Sequence, residues 1–226
     1  MPSLRTATIT IGYLFFLLGI LVAETWNRAV QAADWKAGVA KVSITPEKPM
    51  WMSGYASRNR PAEGTRTPLW CKVLVIEDAA GSRLAAVTLD LVGLDRATSN
   101  EIRDRVAKEH GIQRQGIGLF CSHTHCGPVV GNNLMSMYTL SEEDQQLVRD
   151  YTSSLIDKVS ATVGQAISDL TPAELGWGSG MTGFAVNRRT NKEAEVPPYS
   201  PKRMVNGPSD HHVPVLQISS HDRVKA

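Results

Sequence analysis

Two histidines one residue apart, His123 and His125, close the apolar run Leu119-Phe120-Cys121 and are followed at once by Cys126-Gly127-Pro128. Side chains at i and i+2 of an extended chain share a face. The run therefore predicts a buried strand that delivers both imidazoles together at its end, where an α/β sheet opens its binding crevice. Imidazole titrates near neutral pH and ligates metals, so the pair suits a metal ion or a proton transfer. Zinc needs three or four protein ligands, and further donors must come from elsewhere.

Cys126 is one local source, since thiolate and imidazole both suit zinc. The segment Asp210-His211-His212 is another. Adjacent side chains on an extended segment diverge, so at most one of these two histidines reaches a shared site. Solvent-facing loop residues are the preferred reading there. Asp90, at the end of a predicted strand, has two readings: it orients one imidazole through the second ring nitrogen, or it caps the next turn. Asn187-Arg188-Arg189 offers a planar cationic fork for a carboxylate or an oxyanion. There is no G-x-x-x-x-G-K-[ST] phosphate loop and no G-x-S-x-G nucleophile elbow.

These residues need elements to hold them. Alternation predicts a first strand over residues 37–45, stopped by Pro46, and then a long polar loop over 47–67 that contains Met52-Ser53-Gly54-Tyr55. Strands over 69–77 and 84–91 flank a hairpin turn at 78–82. A helix is expected over 98–109 with Gly111 as its stop, and the apolar strand over 116–122 follows. Ser141 with Glu142, Glu143 and Asp144 reads as a helix start. Leu147, Tyr151, Leu155, Val159, Val163 and Ile167 then form one apolar stripe. Strands are predicted over 173–178 and 213–219, separated by a polar loop at 187–208. Residues 219–223 read as a turn into a strand that the chain does not complete. Strand, helix and strand in alternation, with a hairpin, predict an α/β fold: a mixed sheet with flanking helices, cut short at its C-terminus.

The 226 residues carry a net charge of +2 with basic residues scattered singly, which argues against a nucleic-acid partner. Arg5, an apolar run over 9–23 and a small-residue end at Ala32 predict a secretory signal peptide over residues 1–32. An uncleaved signal anchor is the alternative, and both place the folded part, 33–226, outside the cytoplasm. Cys71, Cys121 and Cys126 are an odd set for an exported chain. They allow one disulfide, with a tight Cys121–Cys126 loop as one option, or buried free thiols behaving as small hydrophobes.

Six segments in order resemble the N-terminal part of the neutral/alkaline non-lysosomal ceramidase family. They are residues 37–46, Met52-Ser53-Gly54-Tyr55, Leu89-Asp90-Leu91, Ser122-His123-Thr124-His125-Cys126-Gly127-Pro128, Asn187-Arg188, and Val213-Pro214-Val215-Leu216. Cys126 stands where the family motif commonly has Ser. The resemblance implies a zinc-dependent hydrolase that cleaves the amide of ceramide into fatty acid and sphingosine. It implies His123 as a Zn2+ ligand, His125 lining the pocket and assisting substrate binding or proton transfer, and Arg188 facing the same pocket. A ceramide-like lipid amide is the implied substrate, and contact with a membrane surface is compatible with it. The family's other zinc ligands, a His, a Glu and a Tyr, come from later sequence, so residues 33–226 read as a fragment of the catalytic domain. The alternative is a catalytically inactive exported envelope domain that binds a lipid or protein partner.

Overall fold

The computed structural model describes residues 35–196, 205–221 and 223–226. The predicted signal peptide lies outside the described residues. Strands β1 (Lys36–Ser43), β2 (Trp70–Glu77) and β3 (Arg83–Leu89) form an antiparallel meander, and helix α1 (Arg96–His110) returns the chain to β4 (Ile117–Cys121), parallel to β3. Helix α2 (Glu142–Ser168) and the short β5 (Thr171–Pro172) complete a five-stranded sheet of order β4-β3-β2-β1-β5. Strands β6 (Glu174–Met181), β7 (His212–Ser220) and β8 (Arg223–Val224) form a separate three-stranded sheet. The architecture is the expected α/β fold with a mixed sheet and flanking helices.

Period-two alternation explains which face the helices cover. Cys71, Val73 and Val75 of β2 and Ala85, Val87 and Leu89 of β3 point inward, against Ile102 and Val106 of α1 and Leu155, Val159 and Val163 of α2. β1 and α2 come so close that a Cβ on Gly38 would lie 1.9 Å from the Ala166 carbonyl oxygen, a place only glycine can occupy. The other face of the sheet carries Ala37 and Ile76, which pack with Ala173 and Ile218 and seat the second sheet.

Helix ends follow the sequence closely. Asp95 accepts from the Thr98 amide, so α1 begins at Arg96 instead of the expected 98, and Gly111 closes it in the left-handed conformation at φ 70°. Ser141 and Asp144 form a reciprocal capping box at the start of α2. Two expectations fail. β4 lies at the edge of the sheet with Phe120 exposed, so it is not a strand buried on both sides. The turn after β7 does lead into a strand, the two-residue β8, which pairs back through Ser219–Val224 and Ser220–Arg223. No described helix is long and apolar enough to cross a membrane.

Candidate functional site

The histidines stand where the only parallel pair among the described strands ends. Leu89 of β3 and Cys121 of β4 are in register, and the Ser122 amide still donates to the Leu89 carbonyl at 3.0 Å. There the ladder stops. His123 adopts φ 58°, a left-handed conformation that non-glycine residues rarely take. The side-by-side geometry expected from an extended strand is therefore not what brings the imidazoles together. A turn does so: its Cys126 amide donates to Thr124 Oγ1 at 3.2 Å, and the two rings meet with centroids 5.1 Å apart at 74°.

His123 is anchored by its own ring. Its Nδ1 lies 2.8 Å from the Val92 carbonyl oxygen, in the segment just after β3. A carbonyl can only accept, so Nδ1 carries the proton and Nε2 offers a bare lone pair. This is the arrangement that prepares an imidazole for a metal.

His125 is held by the loop that the sequence places far upstream. Backbone bonds from the Ser53 amide to the Gly127 carbonyl and from the Val129 amide to the Trp51 carbonyl, each 2.9 Å, lay residues 51–53 along 127–129. Tyr138 Oη accepts from the Gly54 amide at 2.7 Å and bonds Ser53 Oγ at 3.1 Å. Gly54, at φ 103°, gives the imidazole its room: a Cβ there would lie 2.5 Å from His125 Cγ. The Tyr55 ring meets His125 edge-on at 4.6 Å, and Arg58 Nη2 donates to the His125 carbonyl at 2.6 Å.

The remaining candidates separate from this pair. Asp90 Oδ2 accepts from the Trp70 amide at 2.9 Å, so it holds the start of β2, an upstream strand, and meets neither of its two readings: it caps no following turn, and neither imidazole is its partner. All three cysteines are free thiols, with no Cys121–Cys126 loop. Burial pushes the Cys71 thiol up to about 12 and raises that of Cys121, so both stay protonated and pack as small hydrophobes. Cys126 is exposed, and it lines with Thr124, Asp90, Met50 and Met52 a cavity of about 710 Å³. Neither His123 nor His125 lines that cavity. Arg188 is exposed and paired with Glu193 at 2.6 Å; among the described residues it makes no hydrogen bond or ion pair with either histidine. His212 opens β7, and its amide is held by Asp210 Oδ1 at 2.9 Å. His211 departs from the solvent-facing reading, since its Nδ1 is buried without a partner among the described residues.

Among the described residues no group of three or more His, Cys, Asp or Glu side chains converges on one point. The free Nε2 of His123 has the chemistry of a metal ligand. Three contributors carried no motif: the Val92 carbonyl, Arg58 and Tyr138. A backbone oxygen leaves no trace in residue type, and Arg58 and Tyr138 reach the site only through the fold.

Comparison with known proteins identifies the family of this chain. Residues 35–226 match the family described as neutral/alkaline non-lysosomal ceramidase, N-terminal, and the chain belongs to that family. It is similar to a protein named neutral ceramidase from Pseudomonas aeruginosa, 30% identical over 165 residues, covering 71% of this chain and 24% of the relative. A neutral ceramidase from Drosophila melanogaster is 27% identical over 100 residues, 43% of this chain and 14% of that protein. The crystal structure of the Pseudomonas aeruginosa neutral ceramidase superposes with a TM-score of 0.63 at 25% identity, over 86% of this chain and 31% of that one. The chain thus spans under a third of the length of the relatives it matches.

Proposed function

We propose that this chain carries part of the active site of an exported, zinc-dependent amide hydrolase of ceramidase type, which splits N-acylsphingosine into a fatty acid and sphingosine. The observation that supports it most is the anchored His123, with Nδ1 on the Val92 carbonyl and Nε2 free, set in a chain of the ceramidase family. In this reading His123 is a Zn2+ ligand, His125 faces the reacting amide, and other ligands are contributed beyond residue 226. Bound zinc would polarise the amide carbonyl and lower the pKa of a bound water.

The chain's own residues bind and orient. His125, wedged over Gly54 and Tyr55 with its ring 5.1 Å from that of His123, would hydrogen-bond a substrate oxygen. Arg188 joins through the family resemblance. Its ion pair with Glu193 is exposed on both sides and therefore weak, leaving the guanidinium free to turn toward an oxyanion. A lipid amide substrate brings the protein to a membrane surface, and the predicted signal over residues 1–32 carries it out of the cytoplasm.

Metal analysis and hydrolysis assays on the longer protein containing this chain test the reading. About one zinc per molecule, release of fatty acid from N-acyl sphingoid substrates over simple N-acyl amino acids, and loss of both zinc and activity in His123→Ala are expected. A fully active zinc-free protein overturns it. The absence of a three-donor cluster among the described residues favours, for residues 33–226 alone, the second reading of an inactive envelope domain binding a lipid or protein partner. Tight stoichiometric zinc on residues 33–226 would dismiss that reading.

A further inference from the structure

The two imidazoles are fixed by different means, and the difference decides which nitrogen each can offer. His123 has an acceptor for its Nδ1 proton in the Val92 carbonyl. Among the described residues His125 has none: its Nδ1 is buried, without a hydrogen-bond partner, over Gly54, where an added Cβ would lie only 2.6 Å away. A proton on that atom would be a buried donor facing no acceptor, and orphaned N–H groups are rarer and costlier in folded proteins than unused acceptors. The proton therefore belongs on Nε2, at the other side of the ring.

What holds the ring in that orientation is Arg58. Its Nη2 grips the His125 carbonyl at 2.6 Å, and its guanidinium stands 5.3 Å from the centroid of Tyr55, whose ring abuts the imidazole at 4.6 Å. One side chain thus holds the backbone of His125 directly and its ring through Tyr55. Arg58 Nε–H is itself buried without an acceptor among the described residues, an expense that lies on the same clamp.

We infer that Arg58 is the positioning residue that fixes His125 as the Nε2–H tautomer, opposite to His123, so that the pair presents one bare nitrogen and one N–H donor. Only the meaning of this for catalysis rests on the amide-hydrolase reading: a lone pair for the metal from His123, a donor for the substrate oxygen from His125. The tautomers themselves do not depend on it.

Long-range nitrogen–proton NMR of the imidazoles tests it on the full chain, where protonated and bare ring nitrogens give well-separated signals. The chain has six histidines, and His125→Asn and His123→Asn assign the two resonance sets. Wild type should show Nδ1–H for His123 and Nε2–H for His125. Arg58→Met should collapse the separation of the two His125 nitrogens toward an average while leaving His123 unchanged, and Arg58→Lys, which keeps a donor for the His125 carbonyl, should restore it. Like tautomers in wild type overturn the inference, as does an unchanged His125 pattern in Arg58→Met. If Arg58→Met does not fold, the wild-type spectrum and Arg58→Lys still decide: a collapsed His125 pattern in Arg58→Lys counts against it. Adding zinc reads the other question separately, on a protein that also carries the remaining ligands: opposite tautomers with His123 signals that ignore zinc there retain this inference and lose the metal assignment.

Discussion

The two sheets of this chain close in opposite ways. In the five-stranded sheet, inward side chains of β2 and β3 meet α1 and α2 and are almost wholly buried. In the three-stranded sheet, Leu175 and Ile218 face each other across β6 and β7 and pack against Ala37 and Ile76. Along the same face, Trp177 opposite Leu216 and, further on, Met181 are exposed, Trp177 by 87%. Burial therefore depends on whether a covering layer lies above a face, not on how apolar that face is. The candidate site belongs to the closed region, at the ends of β3 and β4.

The largest effect that sharpens this contrast should come from Leu155→Ala. Leu155 is 1% exposed in the core cluster, so the substitution should cost about 2–5 kcal/mol, measured by denaturant unfolding. Next is Gly38→Ala, which pushes a methyl into the Ala166 carbonyl and should cost about 1–3 kcal/mol by the same measurement. A smaller effect concerns the seam where the two regions meet. Asp169 accepts from the Val39 amide at 2.9 Å and pairs with Lys225 at 3.0 Å, and these partners hold its carboxyl below the ordinary 3.8. A lowered carboxylate stabilises the fold above its unfolded-state pKa, and that contribution disappears as pH falls through the folded value. Asp169→Asn should therefore flatten the loss of stability below about pH 4. The change should stay under about 1 kcal/mol, since the side chain is 46% exposed. The smallest effect should be that of Trp177→Ser, within roughly 0.5 kcal/mol in unfolding. It should nevertheless reduce self-association in sedimentation, because exposed apolar patches promote it. A loss comparable to Leu155→Ala would show that the three-stranded sheet is closed after all.

Much of the closed region is legible in residue types. The apolar stripe from Leu147 to Ile167, the Ser141 cap, the Gly111 stop and the hairpin at 78–82 are local patterns whose physics acts within a few residues. Boundaries shifted where a side chain competed: Asp95, not a residue near 98, captured the first free amides of α1. The His123 and His125 pair was legible as a site, but not its geometry. An apolar run predicts an extended chain through His123, whereas the ladder ends at Cys121 and a left-handed residue turns the rings toward each other. Arg188 read as a pocket residue by family resemblance, and its observed partner is Glu193.

The sequence by itself determined the α/β class, the order of the elements, the family and the two histidines, because periodicity, caps and motifs are written in neighbouring residues. Only the tertiary structure decided that β4 is an edge strand, that Asp90 caps β2, and that His123 leans on the Val92 carbonyl. It also decided that a strap from residues 51–58, through Gly54, Tyr55 and Arg58, sets His125. Each of these depends on contacts between segments at least 20 residues apart, such as Trp70 with Asp90. Backbone atoms and empty volumes take part in them, and neither is encoded in the type of any single residue.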